Sequence, residues 1–155
     1  MIFTIGHSNR TVVSLLHDLK SRGITKLIDV RSNPFTRVPG FSAPQIERWA
    51  PAVDLFYAQA GSVLGGRVSF GTRDPRFLAA LKGLAEASTQ ERVAIMCAEG
   101  DPTVCHRSLK VGATLLAEFG VEVRDILRDG TDRDIADTLK SAGIAGKPAE
   151  PKRLL

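Results

Sequence analysis

The chain has 155 residues, 43% of them apolar and 25% charged, with two cysteines, a formal charge of +4 and a sequence pI near 9.4. That length fits one domain with one core, no apolar run reaches the ~20 residues a membrane span needs, and two cysteines do not make a disulfide scaffold. The mild excess of basic residues permits a phosphate-bearing partner without requiring one.

Met1 to Ile5 enters a strand directly, with no basic segment and no small-residue cleavage site, so the expected location is the cytoplasm, with reduced thiols. Phe3 to Ile5 is the first predicted strand. A periodic stretch then begins at Thr11, places Val12, Leu15, Leu16 and Leu19 on one face and closes at Gly23. Lys26 to Val30 predicts a second strand, followed by an irregular Pro-rich segment from Arg31 to Gly40. Ser42 and Gln45 have the spacing of a capping box, which predicts a short helix to Trp49. Asp54 to Tyr57 is a short strand candidate, and Gly61 to Gly71 a Gly-rich loop.

Asp74-Pro75 has the form of an N-cap followed by proline at the first helical position. Phe77, Leu78, Leu81, Leu84 and Ala85 supply the apolar face of that helix. Arg92 to Met96 predicts the third long strand. Asp101-Pro102 repeats the cap arrangement and predicts a helix to about Phe119, closed by Gly120. Val121 to Leu127 is the last predicted strand, and Thr131 with Asp134 caps a helix to Lys140. The expected domain covers residues 1–142, with a loose Pro-containing tail over 143–155.

Strands alternating with helices imply an α/β fold, here a three-layer α/β/α sandwich with a mostly parallel sheet. In such folds ligands bind at the edge where the strands' C-terminal ends gather. His7 and Ser8 follow the first strand, Asp29 and Arg31 end the second, and Cys97 and Glu99 end the third. Cys105, His106 and Arg107 fall in the first turn of the next helix. Residues of these types at strand ends form a candidate shared site. The competing reading makes Asp29 a cap and His7 a satisfied interior histidine.

Arg31, Arg37, Arg67, Arg73 and Arg107 all fall near the same edge, and arginine presents a fork of donors suited to phosphate or carboxylate. Arg107 would sit near a helix N-terminus, which favours an anion. Alternatively it pairs with Glu99 or Asp29 and holds the loop in shape. Gly65 and Gly66 beside Arg67 would let backbone approach a ligand. Cys97 leaves a strand into a loop, where a nearby cation or helix N-terminus would populate the thiolate. The loop matches neither a phosphatase cradle, since Thr103 stands where arginine is needed, nor the full sulfurtransferase pattern, of which only Cys97-x-x-Gly100 is present. A metal site built from Cys97, Cys105, His106 and His7 is set aside, because adjacent Cys105 and His106 would diverge by about 100° on a helix. No metal and no cofactor is therefore expected.

Four blocks carry a family resemblance: Thr4-Ile5-Gly6-His7-Ser8; Asp29-Val30-Arg31-Ser32-Asn33-Pro34 with Arg37 and Phe41; Leu64-Gly65-Gly66-Arg67 after Tyr57; and Met96-Cys97-Ala98-Glu99 through Asp101-Pro102 to Cys105-His106-Arg107. In these blocks the chain resembles the bacterial and archaeal family called domain of unknown function 488. The resemblance covers residue 4 to about residue 126 and implies an α/β fold with a shared site at these blocks, but no activity. One departure is visible: the family often places histidine just before the closing isoleucine of the last strand, and here Asp125 precedes Ile126. The order of Ile28-Asp29-Val30-Arg31, a later strand, the Cys97 loop and a helix also has the organisation of a rhodanese-type sulfurtransferase, an analogy rather than a motif match.

Three functions are expected to compete. The first is an anion site for a phosphate-bearing small molecule, nucleotide or nucleic acid. Arg31, Arg67 and Arg107 would hold the anion, with Ser8, Arg37, Gly65, Gly66, Cys105 and His106 lining the site and His7, Asp29 and Glu99 available for proton transfer. The second is a thiol enzyme with Cys97 as nucleophile and His7 or His106 as base or activating cation. The third is a module whose polar cluster only fixes the fold. No membrane partner is expected, and nothing in the sequence specifies an oligomeric state.

Overall fold

The computed structural model describes residues 1–144. Six strands form one sheet: β1 (Ile2–Gly6), β2 (Lys26–Asp29), β3 (Phe56–Gln59), β4 (Val93–Cys97), β5 (Val123–Ile126) and β6 (Asp132–Asp134). Their order is β3-β2-β4-β1-β5-β6. The first five run parallel, and β6 returns antiparallel to β5. The fold is α/β with a mostly parallel sheet, as expected. The central pair β4 and β1 register Gly6 against Cys97, and β2 registers Asp29 against Met96. The three strand ends named from the sequence are therefore neighbours.

Alternation along the central strands β1 and β4 explains why they are almost wholly apolar. Ile2, Ile28, Val93, Ile95 and Cys97 enter one apolar cluster, together with Phe77, Leu81, Val111, Leu115 and Ile135 from helices. Phe3, Ile5, Leu27, Ala94 and Met96 enter a second cluster with Leu15, Leu19, Phe41 and Ile46. Successive strand residues point to opposite faces, so two covered faces demand an unbroken apolar run.

Helix boundaries follow the capping chemistry. Thr11 accepts from the amide of Ser14 at the start of α1 (Val12–Lys20), and the helix buries Leu15 and Leu19. At α2 (Ala43–Trp49), Gln45 Oε1 accepts from the Ser42 amide, the returning half of a capping box. A single turn, α3 (Gly61–Leu64), interrupts the segment expected to be a Gly-rich loop. Asp74 caps α4 (Pro75–Ala87) with proline at its first position.

The segment after β4 departs from expectation. Asp101 caps Thr103, but the turn it starts, Pro102–Val104, is only a 3₁₀ turn. Cys105 is then extended, at φ −119° and ψ 134°. A π-helical turn, Arg107–Gly112, follows before α5 (Ala113–Phe119) begins. The expected continuous helix is thus broken at Cys105, and π-type turns are frequent where side chains are re-aimed at sites.

The short β6 lies within the segment expected to open the last helix. Its polar Asp132-Arg133-Asp134 carries no apolar alternation; Arg124 of β5 lies 3.6 Å from Asp132 and 3.9 Å from Asp134. Asp134 caps α6 (Ile135–Ser141) by accepting from Ala136. Gly143 and Ile144 close that helix with amides bonded to Lys140 and Leu139. The rest of the expected tail lies outside the described residues.

Candidate functional site

The sheet edge divides its polar residues into three groups. The first closes on itself. Asp29, at the end of β2, accepts from the amide of Arg31 at 3.0 Å, from its Nε at 2.9 and 3.1 Å and from its Nη2 at 2.6 Å. The Tyr57 hydroxyl donates to the same carboxylate at 2.5 Å. Arg31 spends Nη1 on the Phe41 carbonyl at 2.7 Å and on His7 Nε2 at 3.3 Å. Because arginine only donates, His7 Nε2 accepts, and its Nδ1–H donates to the Ser8 carbonyl at 2.8 Å. The ring stacks on Phe41 with centroids 4.8 Å apart. Burial, joined by the Arg31 charge, lowers the His7 pKa against the pull of the Ser8 bond. His7 is a neutral, fully engaged ring, and Arg31 is a closed clasp whose side chain forms part of a wall. Burial raises the Tyr57 pKa first, and its bond to Asp29 raises it further.

The second group is interior. Arg107 is completely buried, although the sequence placed it as an anion holder. Its Nε donates to Thr4 Oγ1 at 3.1 Å, and Nη1 donates to the Glu99 carbonyl. It holds the loop as the alternative reading had it, through that carbonyl rather than the Glu99 carboxylate. The carboxylate itself accepts from the Asp101 amide and is exposed. Thr4 donates its own O–H to Asp125 at 2.5 Å, and Ser108 and Thr138 donate to the same carboxylate at 2.7 and 2.5 Å. A hydroxyl thus bridges a buried guanidinium to a buried carboxylate. Among the described residues Arg107 Nη2 is buried without a partner.

The third group faces outward. A hollow of about 220 Å³ is lined by Arg31, Ser32, Asn33, Gly66, Arg67, Cys97, Ala98 and His106. Cys97 ends β4 at its floor, and Cys105 lies behind it. His106 donates Nε2–H to the Val30 carbonyl at 3.3 Å, which turns Nδ1 toward both sulfurs at 3.9 Å each. The neighbouring Cys105 thiol, the amides of Glu99 and Ala98 and the Arg107 charge outweigh burial and hold the Cys97 pKa down at about 6. The Cys97 sulfur, with burial, pushes Cys105 up to about 12. The opposite shifts favour the thiolate on Cys97 and the thiol on Cys105.

The backbone is shaped to this arrangement. A Cβ on Gly6 would stand 1.8 Å from the Glu99 carbonyl oxygen, so only glycine lets the loop after β4 fold back over β1. A Cβ on Gly66 would stand 3.0 Å from His106 Nδ1. The Arg67 amide donates to Ser32 Oγ at 2.9 Å, which ties the Gly65-Gly66-Arg67 segment to the hollow's rim.

The expected residues therefore divide. Cys97, His106, Gly66, Arg67 and the wall of Arg31 share the hollow, and Cys105 reaches it through Cys97. His7 and Asp29 sit behind that wall. Arg37 lines a different depression with Asn9, Arg10 and Val38. Tyr57, Thr4, Ser108 and Thr138 were missed, and a hydroxyl inside an apolar strand, as at Thr4, was the available signal. The objection to convergence of Cys105 and His106 also falls. Cys105 is extended, not helical, and the donor atoms of Cys97, Cys105 and His106 lie within 4.8 Å of one another. Such a set is one a thiophilic ion such as zinc would accept.

No family model, curated protein or solved structure matches the chain. No helix among the described residues is long and apolar enough to cross a membrane.

Proposed function

We propose that the protein is a thiol-dependent enzyme that transfers a group through a covalent adduct on Cys97, acting on a small anionic substrate in the cytoplasm. The observation that carries this reading is Cys97 lining the hollow, with His106 Nδ1 3.9 Å from its sulfur and Cys105 Sγ within 4.8 Å. The lowered Cys97 pKa favours a thiolate, which is the nucleophilic form of cysteine. In the reaction the thiolate forms a bond to an electrophilic atom of the substrate, and the leaving group departs with the bonding pair.

The anion expected from the arginines narrows to a small group. Arg67 is exposed at the rim, whereas Arg31 and Arg107 are bonded internally. The hollow, near 220 Å³, is smaller than the roughly 300–1,000 Å³ of pockets that enclose drug-sized ligands. A small oxyanion or sulfur compound suits it better than a nucleic acid. The resemblance to the domain of unknown function 488 family belongs to the same proposal: its last block supplies Cys97, Cys105 and His106.

Iodoacetamide labelling of Cys97 across pH 5–9, located by peptide mass spectrometry, tests the reading. The rate is expected to rise through a midpoint near 6 and to vanish in Cys97→Ser. A thiol that labels only as pH approaches 9, or not at all, would overturn it.

A further inference from the structure

We propose that Cys97 and Cys105 form a thiol–disulfide exchange pair, with Cys105 as the resolving thiol, His106 as its base and a disulfide sulfur as the substrate. This rests on the reading of Cys97 as the nucleophile and adds the class of electrophile and the second step.

Position assigns the roles. Cys97 lines the hollow and Cys105 does not, so an incoming disulfide meets Cys97 Sγ first. Cys105 is buried beside it, its Sγ within 4.8 Å of the Cys97 sulfur. Its extended backbone links two turns rather than lying inside a helix, so its side chain can swing toward Cys97 without breaking a helical ladder. Forming the bond brings the sulfurs to roughly 2.05 Å.

The electrons balance as follows. The Cys97 thiolate attacks one sulfur of R–S–S–R′, the S–S bond breaks, and R′S⁻ leaves with the electron pair. A mixed disulfide Cys97–S–S–R remains. That step removes the negative charge that had held the Cys105 proton. His106 Nδ1, 3.9 Å from Cys105 Sγ and the acceptor nitrogen of the tautomer that gives Nε2–H to Val30, then takes the proton. The new Cys105 thiolate attacks Cys97 Sγ, and RS⁻ leaves and recovers the proton from His106. The substrate disulfide is reduced to the thiolate R′S⁻, which takes any proton it needs from water, and the thiol RSH, and the protein thiolate–thiol pair is oxidised to an intramolecular disulfide. An external dithiol reverses that oxidation by the same exchange.

The single histidine serves this sequence because it is equidistant from both sulfurs. Its Val30 bond fixes the tautomer, so the acceptor nitrogen always faces the thiols. Gly66 leaves the space in which the ring sits.

The test mixes fully reduced protein with excess 5,5′-dithiobis(2-nitrobenzoate), an aromatic disulfide that is also an anion. Released thiolate is followed by absorbance and the protein by intact mass. The wild type is expected to release two equivalents and end as a disulfide lighter by two hydrogens, carrying no aryl group. Cys105→Ser is expected to release one equivalent and retain the aryl adduct on Cys97. His106→Gln should leave the first release fast and slow the second by roughly 10²-fold, the lower end of what a positioned base contributes. A wild type that stably keeps two aryl groups, or one, overturns the exchange pair while leaving Cys97 as nucleophile. A first release no faster than that of an ordinary thiol removes the underlying reading as well. Thiols that react only after a chelator is added would show that an ion holds the cluster, which also overturns the proposal.

Discussion

His106 Nδ1 lies 3.9 Å from Cys97 Sγ and the same distance from the adjacent Cys105 Sγ. Two residues next to each other in sequence thus share a focus with a third from the end of β4. The extended Cys105 makes that focus possible, and the Val30 carbonyl keeps the ring in place.

Removal of the Cys105 thiol should weaken the Cys97 thiolate. That neighbour is the largest influence lowering the Cys97 pKa. In Cys105→Ala the midpoint of iodoacetamide labelling is expected to move up from near 6 toward the ordinary thiol value, with a slower rate at pH 6.5. Labelling profiles of the two proteins give the comparison; an unmoved midpoint would assign the thiolate to the backbone amides instead.

The Asp29 clasp should be costly to open. Arg31→Met leaves a buried carboxylate without its cation, and loss of one partner of such a pair typically costs about 3–5 kcal/mol. Tyr57→Phe removes one hydrogen bond to the same carboxylate and should cost about 2 kcal/mol, as bonds to charged groups do. Urea unfolding monitored by circular dichroism measures both, and the larger loss is expected for Arg31→Met.

Asp125 accepts from three buried hydroxyls, so Asp125→Ala leaves Thr4, Ser108 and Thr138 without their acceptor, and Thr4 no longer links Arg107 to a carboxylate. A loss of about 3–5 kcal/mol is expected, the range for stripping a buried ionic network of one member. The midpoint of chemical denaturation reads it directly.

The neutral His7 predicts a pH dependence. Its folded pKa lies below the ordinary imidazole value of 6.5, so below pH 6.5 the unfolded chain takes up a proton that the folded chain refuses. Stability contributed by the neutral ring is complete above that value and is lost as pH falls toward the folded pKa. Thermal unfolding between pH 7 and pH 5 should show this decline, and His7→Gln should reduce its slope. An unchanged slope would mean that another group carries the dependence.

Much of this architecture was legible in the sequence because it depends on local chemistry. The apolar run Val93 to Met96 and the segment Lys26 to Val30 announce strands, and the Asp74-Pro75 pair announces a helical start. Together with the order of elements they place His7, Asp29 and Cys97 at one edge. The short β6 was missed because a polar edge strand pairs through its backbone and carries no apolar period.

Which way each side chain faces was a matter for the tertiary structure. Arg31, Arg37, Arg67 and Arg107 are chemically equivalent in the sequence, yet Arg31 is spent on Asp29, Arg107 is enclosed beside Thr4, Arg37 lines another depression and Arg67 is left at the rim of the hollow. The sequence by itself determined the α/β fold and the edge at which polar groups collect, since periodicity and capping act over a few residues. Only packing decided that Cys97, Cys105 and His106 converge while His7 and Asp29 turn behind a wall, because burial and hydrogen-bond partners are set by segments distant in the chain.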